Sequence, residues 1–213
     1  DDLNVILPAK PDLIRLPKAE TGKDIKIIDE IIGEAEAKNG FAAGSIGMMA
    51  AIETAKGLMH AYEIATASPR MVALAIGGED FVADLKTSRS REGWELFVAR
   101  SQLLLAARAA GIQAIDSVFA NANDDEGFLA ETRLIKELGF DGKSVINPRQ
   151  VRMAQEVFTP SEKEIKNAER VLTAYKEALE RKSGVVALDG KMIDTPIVTR
   201  AERVLAYAAA VRK

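Results

Sequence analysis

Short apolar strand-like runs alternate along this chain with stretches whose apolar positions recur every three to four residues. The runs are Leu13–Pro17 (LIRLP), Ile46–Ile52 (IGMMAAI), Met71–Ile76 (MVALAI), Ile112–Phe119 (IQAIDSVF) and Lys143–Asn147. A strand buried on both faces of a parallel sheet reads as continuously apolar rather than alternating. The stretches near Lys23–Lys38, Ala55–Ala67, Arg91–Ala110 and Asp125–Leu138, and one after Pro148, carry the helical period. Strands alternating with helices predict parallel βαβ units, five of them here. Pattern alone admits either an open doubly wound sheet or part of a barrel. The opening residues 1–7 read as a helix with no cap before it, which places the start of the chain inside a larger fold.

The pattern then changes. Thr159-Pro160 makes a turn, and Ser161 with Glu164 forms a capping box for a long charged helix to about Lys182. Ser183-Gly184, a strand-like VVAL, the turn Asp189-Gly190 and a last helix opening near Pro196 follow. This tail is not another strand–helix unit. The expected division is therefore 1–158 for the repeated units and 159–213 for a C-terminal helical extension that could act as a lid.

Composition narrows the function classes. The formal net charge of −3 over 213 residues, without long basic runs, argues against a nucleic-acid footprint. No apolar stretch approaches the ~18 residues of a membrane span. With no cysteine in the chain, disulfides and thiolate metal sites are excluded. A cytoplasmic protein is expected.

Two of the apolar runs end in acids. Ile46–Ile52 delivers Glu53, and Met71–Ile76 delivers Gly77-Gly78-Glu79-Asp80. Ligands gather at the carboxyl ends of parallel strands. Two carboxylates there, with glycines opening space, suit a hard divalent cation that keeps room for substrate oxygens. Glu79 is read as an acceptor behind the ligands or as the partner of a nearby cation. Lys18 and Arg15, three apart, cannot both face one side of a strand, so Lys18, at the carboxyl end, is preferred for substrate. Gly142-Lys143 and Asn147-Pro148 close the last strand, while Trp94 and Phe97 are read as packing a helix. Gly142-Lys143-Ser144 is not a P-loop, because the earlier glycine is replaced by Glu137. The run Asn121–Gly127 fails as a calcium loop, its glycine one place late. His60, the single histidine, lies within a helix and is read as structural.

The segments IGMMAAIETAKG…SPRMVALAIGGEDFVADL, ARAAGIQAIDSVFANANDDEGF, GFDGKSVINPRQV and DGKMIDTP closely resemble the β subunit of citrate lyase. The likeness runs from Asp1 to the final helix and extends to malyl-CoA and citramalyl-CoA lyases. It implies an α/β fold of TIM-type (β/α) barrel with a C-terminal helical extension. Arg15-Leu16-Pro17-Lys18 would lie on the fourth strand, so the first three βα units would precede Asp1. With them would go an acidic strand end and an arginine that grips the substrate carboxylate.

The resemblance also implies a reaction and its apparatus. A citryl thioester, on an acyl carrier protein or coenzyme A, would be cleaved to oxaloacetate and an acetyl thioester with Mg²⁺, and Gly142-Lys143 and Asn147-Pro148 would line the thioester arm. Glu53 and Asp80 match the metal ligands, Glu53 also meeting substrate. Asp194 matches an aspartate that reaches a neighbouring subunit's site as general acid or base. Its plainer reading is the N-cap of the last helix, ahead of Thr195 and Pro196. The expected partners are further copies of the chain, as in a trimer, together with acyl carrier and transferase subunits. Two alternatives stand beside this reading. One is a free-standing malyl-CoA or citramalyl-CoA-type lyase; the other is an inactive piece that only associates with other subunits.

Overall fold

A computed structural model describes residues 2–181 and 187–211. The described chain separates into two compact units, 1–154 and 155–213. Ser183-Gly184 and the first half of VVAL, expected as a turn and strand, lie outside the described residues.

The first unit opens with the short helix α1 (Asp2–Ile6) and then alternates strands and helices. In order these are β1 (Leu13–Leu16), α2 (Gly22–Asn39), β2 (Gly47–Ile52), α3 (Ala55–Met59), α4 (Ala61–Ala65) and β3 (Met71–Ile76). They continue as α5 (Gly78–Asp84), α6 (Trp94–Ala109), β4 (Gln113–Asp116), α7 (Asp125–Leu138), β5 (Gly142–Lys143) and α8 (Pro148–Phe158), which runs past the division. The five strands form one parallel sheet in chain order, β1-β2-β3-β4-β5. This is an α/β fold.

Two of the expected helices differ from the pattern. Ala55–Ala67 breaks at His60, whose φ of −104° and ψ of 11° leave the helical region between α3 and α4. The 91–110 stretch becomes α6 from Trp94, and α5, a separate helix directly after β3, was not legible.

Register fixes which side chains share a face of the sheet. Arg15 pairs with Met49, Ala51 with Ala75, Ala75 with Ile115, and Ile115 with Gly142. These lie on one face, and Glu53, Gly77 and Ser117 continue it beyond the strand ends. The other face carries Met48, Ala50, Ile52, Leu74, Ile76 and Ala114, all fully buried. There α4 packs on β2 and β3, α6 on β3 and β4, and α2 against α4. The first face is more open: Leu13 and Arg15 are exposed, Met49 and Ile115 half-buried.

The second unit pairs α9 (Glu162–Glu180) with α10 (Thr195–Val211), joined through the antiparallel strands β6 (Ala187–Leu188) and β7 (Lys191–Met192). The Asp189-Gly190 turn has φ of 50° and 75°, the left-handed geometry that a two-residue hairpin requires. Ala168, Val171, Ile193, Val198 and Ala201 form its core.

Candidate active site at the carboxyl ends of β2 and β3

Glu53 directly follows β2, and its side chain turns onto the backbone of the next strand. A Cβ added to Gly77 would sit 2.5 Å from Glu53 Cγ and 3.1 Å from its Oε1. Only glycine at 77 leaves the carboxylate its present place. Glu53 is 8% exposed. Burial pushes its carboxyl above the usual range, and the negative charge of Asp80 adds to that. The charges of Arg15 and Lys18, and the Lys18 backbone amide donating to it, pull in the opposite direction.

Asp80 arrives by a different route. Gly77 ends the β3 run and caps α5, whose first turn presents Glu79 and Asp80 toward the positive end of the helix. Lys18 Nζ stands 3.1 Å from Asp80 Oδ1, both side chains more than half exposed. The Asp80 carboxylate, by accepting that hydrogen bond, raises the Lys18 ammonium above its ordinary value. Glu79 turns away to Arg89, at 3.2 Å.

Lys18 and Arg15 both bear on Glu53, contrary to the expectation that only one would. Alternation stops at Leu16, the end of β1, and Lys18 lies beyond it with a left-handed φ of 50°. Spacing along a strand therefore does not constrain it.

The donor set suits magnesium. Two carboxylates converge, each made less comfortable by the other, and an ammonium already stands on one of them. A small hard cation accepts one or two protein carboxylates and fills its remaining positions with water and substrate oxygens. Among the described residues no cluster of three or more His, Cys, Asp or Glu forms, so a cation at this place would draw on two carboxylates and complete its shell from elsewhere.

The other expected residues have local contacts. Asn147 Oδ1 accepts from Arg149 N at 2.9 Å and, with Pro148, begins α8. Asp194, in the second unit, accepts from Ile197 N through Oδ1 at 3.2 Å and is the cap of α10. Trp94 packs only loosely, tilted against Phe97 with ring centroids 5.8 Å apart, and is 72% exposed rather than part of a core. His60 directs Nδ1 at the Lys56 carbonyl, 2.9 Å away.

Lys143 corrects its placement along a thioester arm. Its side chain is fully buried on the helix-covered face, 2.8 Å from Asp116 and 2.6 Å from Glu131. Pairing of Asp116 with Lys143 in the register puts both on that face. Arg100 on α6 grips Asp116 with two bonds, 2.7 and 3.0 Å, and Arg89 reaches Glu131 at 2.8 Å. This buried ionic cluster was missed in the sequence, although Ile112–Phe119 also carries an acid where its apolar residues run out.

A family model for the HpcH/HpaI aldolase/citrate lyase matches residues 1–148. The chain belongs to that family. Two family members illustrate the likeness. The citrate lyase subunit beta of Leuconostoc mesenteroides subsp. cremoris is 50% identical over 210 residues, 99% of this chain and 70% of that one. The Haemophilus influenzae citrate lyase subunit beta is 51% identical over 207 residues, covering 97% of this chain and 71% of that one.

Solved structures agree. The CitE protein of Mycobacterium tuberculosis, in complex with magnesium, acetoacetate and coenzyme A, superposes with a TM-score of 0.69 at 30% identity, over 97% of this chain and 82% of that one. The citrate lyase beta subunit of M. tuberculosis complexed with oxaloacetate and magnesium gives 0.59 at 30% identity, over 71% and 63%. A citrate lyase of Burkholderia xenovorans gives 0.85 over 100% of this chain and 69% of that one; at 22% identity it bears on the fold alone.

Proposed function

We propose that this chain is a citrate lyase β-type subunit, cleaving the carbon–carbon bond of a citryl thioester to yield oxaloacetate and an acetyl thioester. The observation that carries this reading is the approach of exposed Asp80, in the first turn of α5, to buried Glu53 at the end of β2, in a chain half identical to curated citrate lyase β subunits.

Glu53 and Asp80 would hold the Mg²⁺. When bound, the ion supplies Lewis-acid polarisation of the hydroxyl and carboxylate oxygens of the citryl group. The chain's own cations then have a role. Lys18 and Arg15, whose charges already act on Glu53, would receive the substrate's remaining carboxylate. In cleavage the citryl hydroxyl loses its proton to water or a basic side chain as it becomes the keto oxygen of oxaloacetate, and the electrons of the broken bond pass to the thioester carbon chain as an enolate, which must gain a proton. Asp194 of a neighbouring copy would deliver it, while Asn147 and Pro148 at the start of α8 would border the thioester arm.

The five-stranded sheet is read as part of a TIM-type (β/α) barrel. One face is covered by helices, and the other presents Leu13, Met49 and Ile115 as a barrel interior would. Residues 1–158 would supply barrel and 159–213 a C-terminal helical extension. The working assembly would be a cytoplasmic homo-oligomer, such as a trimer, joined to acyl carrier and transferase subunits.

The test is Mg²⁺-dependent release of oxaloacetate from a citryl thioester. Glu53→Gln and Asp80→Asn should each lower turnover at least about a hundredfold while circular dichroism stays unchanged. Turnover at the wild-type rate in either variant would remove the ligand assignment.

A further inference from the structure

The helix that delivers Asp80 begins without a cap of its own. Its N-cap is Gly77, held to glycine by the Glu53 side chain, so it has no side-chain oxygen to offer the first-turn amides. Such amides need acceptors when buried. Gly78 is buried, and its N–H donates to Ser117 Oγ at 2.9 Å, across from the end of β4. The fit leaves no slack, since a Cβ on Gly78 would stand 2.5 Å from that oxygen.

Ser117 is itself fixed. It is 1% exposed, and its carbonyl accepts from Lys143 Nζ at 2.8 Å. The carbonyl of the preceding Asp116 accepts from Ser144 N at 2.9 Å. Lys143 is in turn locked by Asp116 and Glu131, and Asp116 by Arg100. A second tie runs from the same cluster: Arg89 bonds Glu131 at one end and Glu79, next to Asp80, at the other. The first turn of α5 is thus clamped at residues 78 and 79.

We infer that Ser117 is a positioning residue for the metal site: it caps α5 in place of Gly77 and, backed by the buried cluster, sets where the Asp80 carboxylate stands. The inference rests on Asp80 being an ion ligand. Groups that orient ligands without touching the metal typically change its affinity by roughly 10–100-fold when removed. Lys143 and Arg89, which sequence reading assigned elsewhere or not at all, act through the same route.

The experiment titrates the full chain with Mn²⁺, reading the free ion by electron paramagnetic resonance, with Mg²⁺ as competitor and no substrate present. Ser117→Ala should weaken Mn²⁺ about tenfold or more, and Ser117→Thr, which keeps the hydroxyl, should recover most of it. Thermal unfolding is followed in parallel. Wild-type affinity in Ser117→Ala overturns the inference. So does a loss that Ser117→Thr does not recover and that is matched by a collapse in melting temperature, since packing alone would explain it. Asp80→Asn separates the two levels. If it weakens the ion while Ser117→Ala does not, only the positioning role fails. If Asp80→Asn binds as wild type, the ligand assignment fails and this inference with it.

Discussion

Glu53 sits in two unfavourable circumstances at once, buried and facing a second carboxylate, and both push its carboxyl upward. A cation placed between Glu53 and Asp80 relieves the repulsion, so the pair is poised for one. The close approach to Gly77 makes this sensitive to a single methyl group. Gly77→Ala should displace the Glu53 side chain, costing about 1–3 kcal/mol of stability by overpacking and weakening ion binding, both readable by thermal denaturation and Mn²⁺ titration. An unchanged ion affinity would show that the carboxylate can be accommodated elsewhere. Glu53 and Asp80 were legible because each follows an apolar run at a strand end. Arg15 was set aside because strand alternation was extended to Lys18, beyond the strand. Ser117 carried no signal. A serine after a strand is unremarkable until the fold shows which amide it faces.

Among the elements, α2 is tied to β2 and β3 through one buried acid. Glu36 is 1% exposed and accepts two bonds from Arg70, at 2.7 and 2.8 Å, with backbone amides of Gly44 and Ile46 completing its shell. Its carboxyl falls from 4.5 to about 2, chiefly through the Arg70 guanidinium. Because the folded value is depressed, the stabilisation is complete above about pH 4.5 and is lost as pH falls toward 2. At ~1.36 kcal/mol per pKa unit this amounts to at most about 3 kcal/mol. Glu36→Gln should flatten the acid limb of a stability–pH profile in that window; an unaltered profile would show that other groups govern it. In the second unit, Ser161 accepts from Glu164 N at 3.2 Å and Glu164 returns a bond to Ser161 N, the capping box read from sequence. Ser161→Ala should cost about 1 kcal/mol of unfolding free energy. α5 escaped the sequence reading because seven residues give too few apolar repeats to stand out after a strand.

At the scale of the whole first unit, the sheet divides labour between its faces. Arg100, Asp116, Glu131 and Lys143 join α6, β4, α7 and β5 behind the sheet, all with side chains at most 7% exposed. The surrounding cations hold the Asp116 and Glu131 carboxyls below their usual values although burial alone would raise them. Removing one partner leaves charge uncompensated, so Lys143→Met should destabilise the fold by about 3–5 kcal/mol. Chemical denaturation measures it, and a loss under ~1 kcal/mol would mean that the remaining cations suffice. The order of strands and helices was legible because period and apolar run length are local properties. The cluster was not, because its members lie up to 43 positions apart and only tertiary packing brings them together.

Neighbouring positions along β4 therefore answer to different pressures. An engineer wanting heat tolerance has a target in Asp116 and its buried partners, where a well-packed apolar replacement of the whole ionic set often endures better than the original. One step on, at Ser117, the same library would detune metal capture and, by stranding the buried Gly78 amide, lower the melting curve as well. Because the ionic set also backs Ser117, selection for durability would work against selection for turnover along the same stretch of chain.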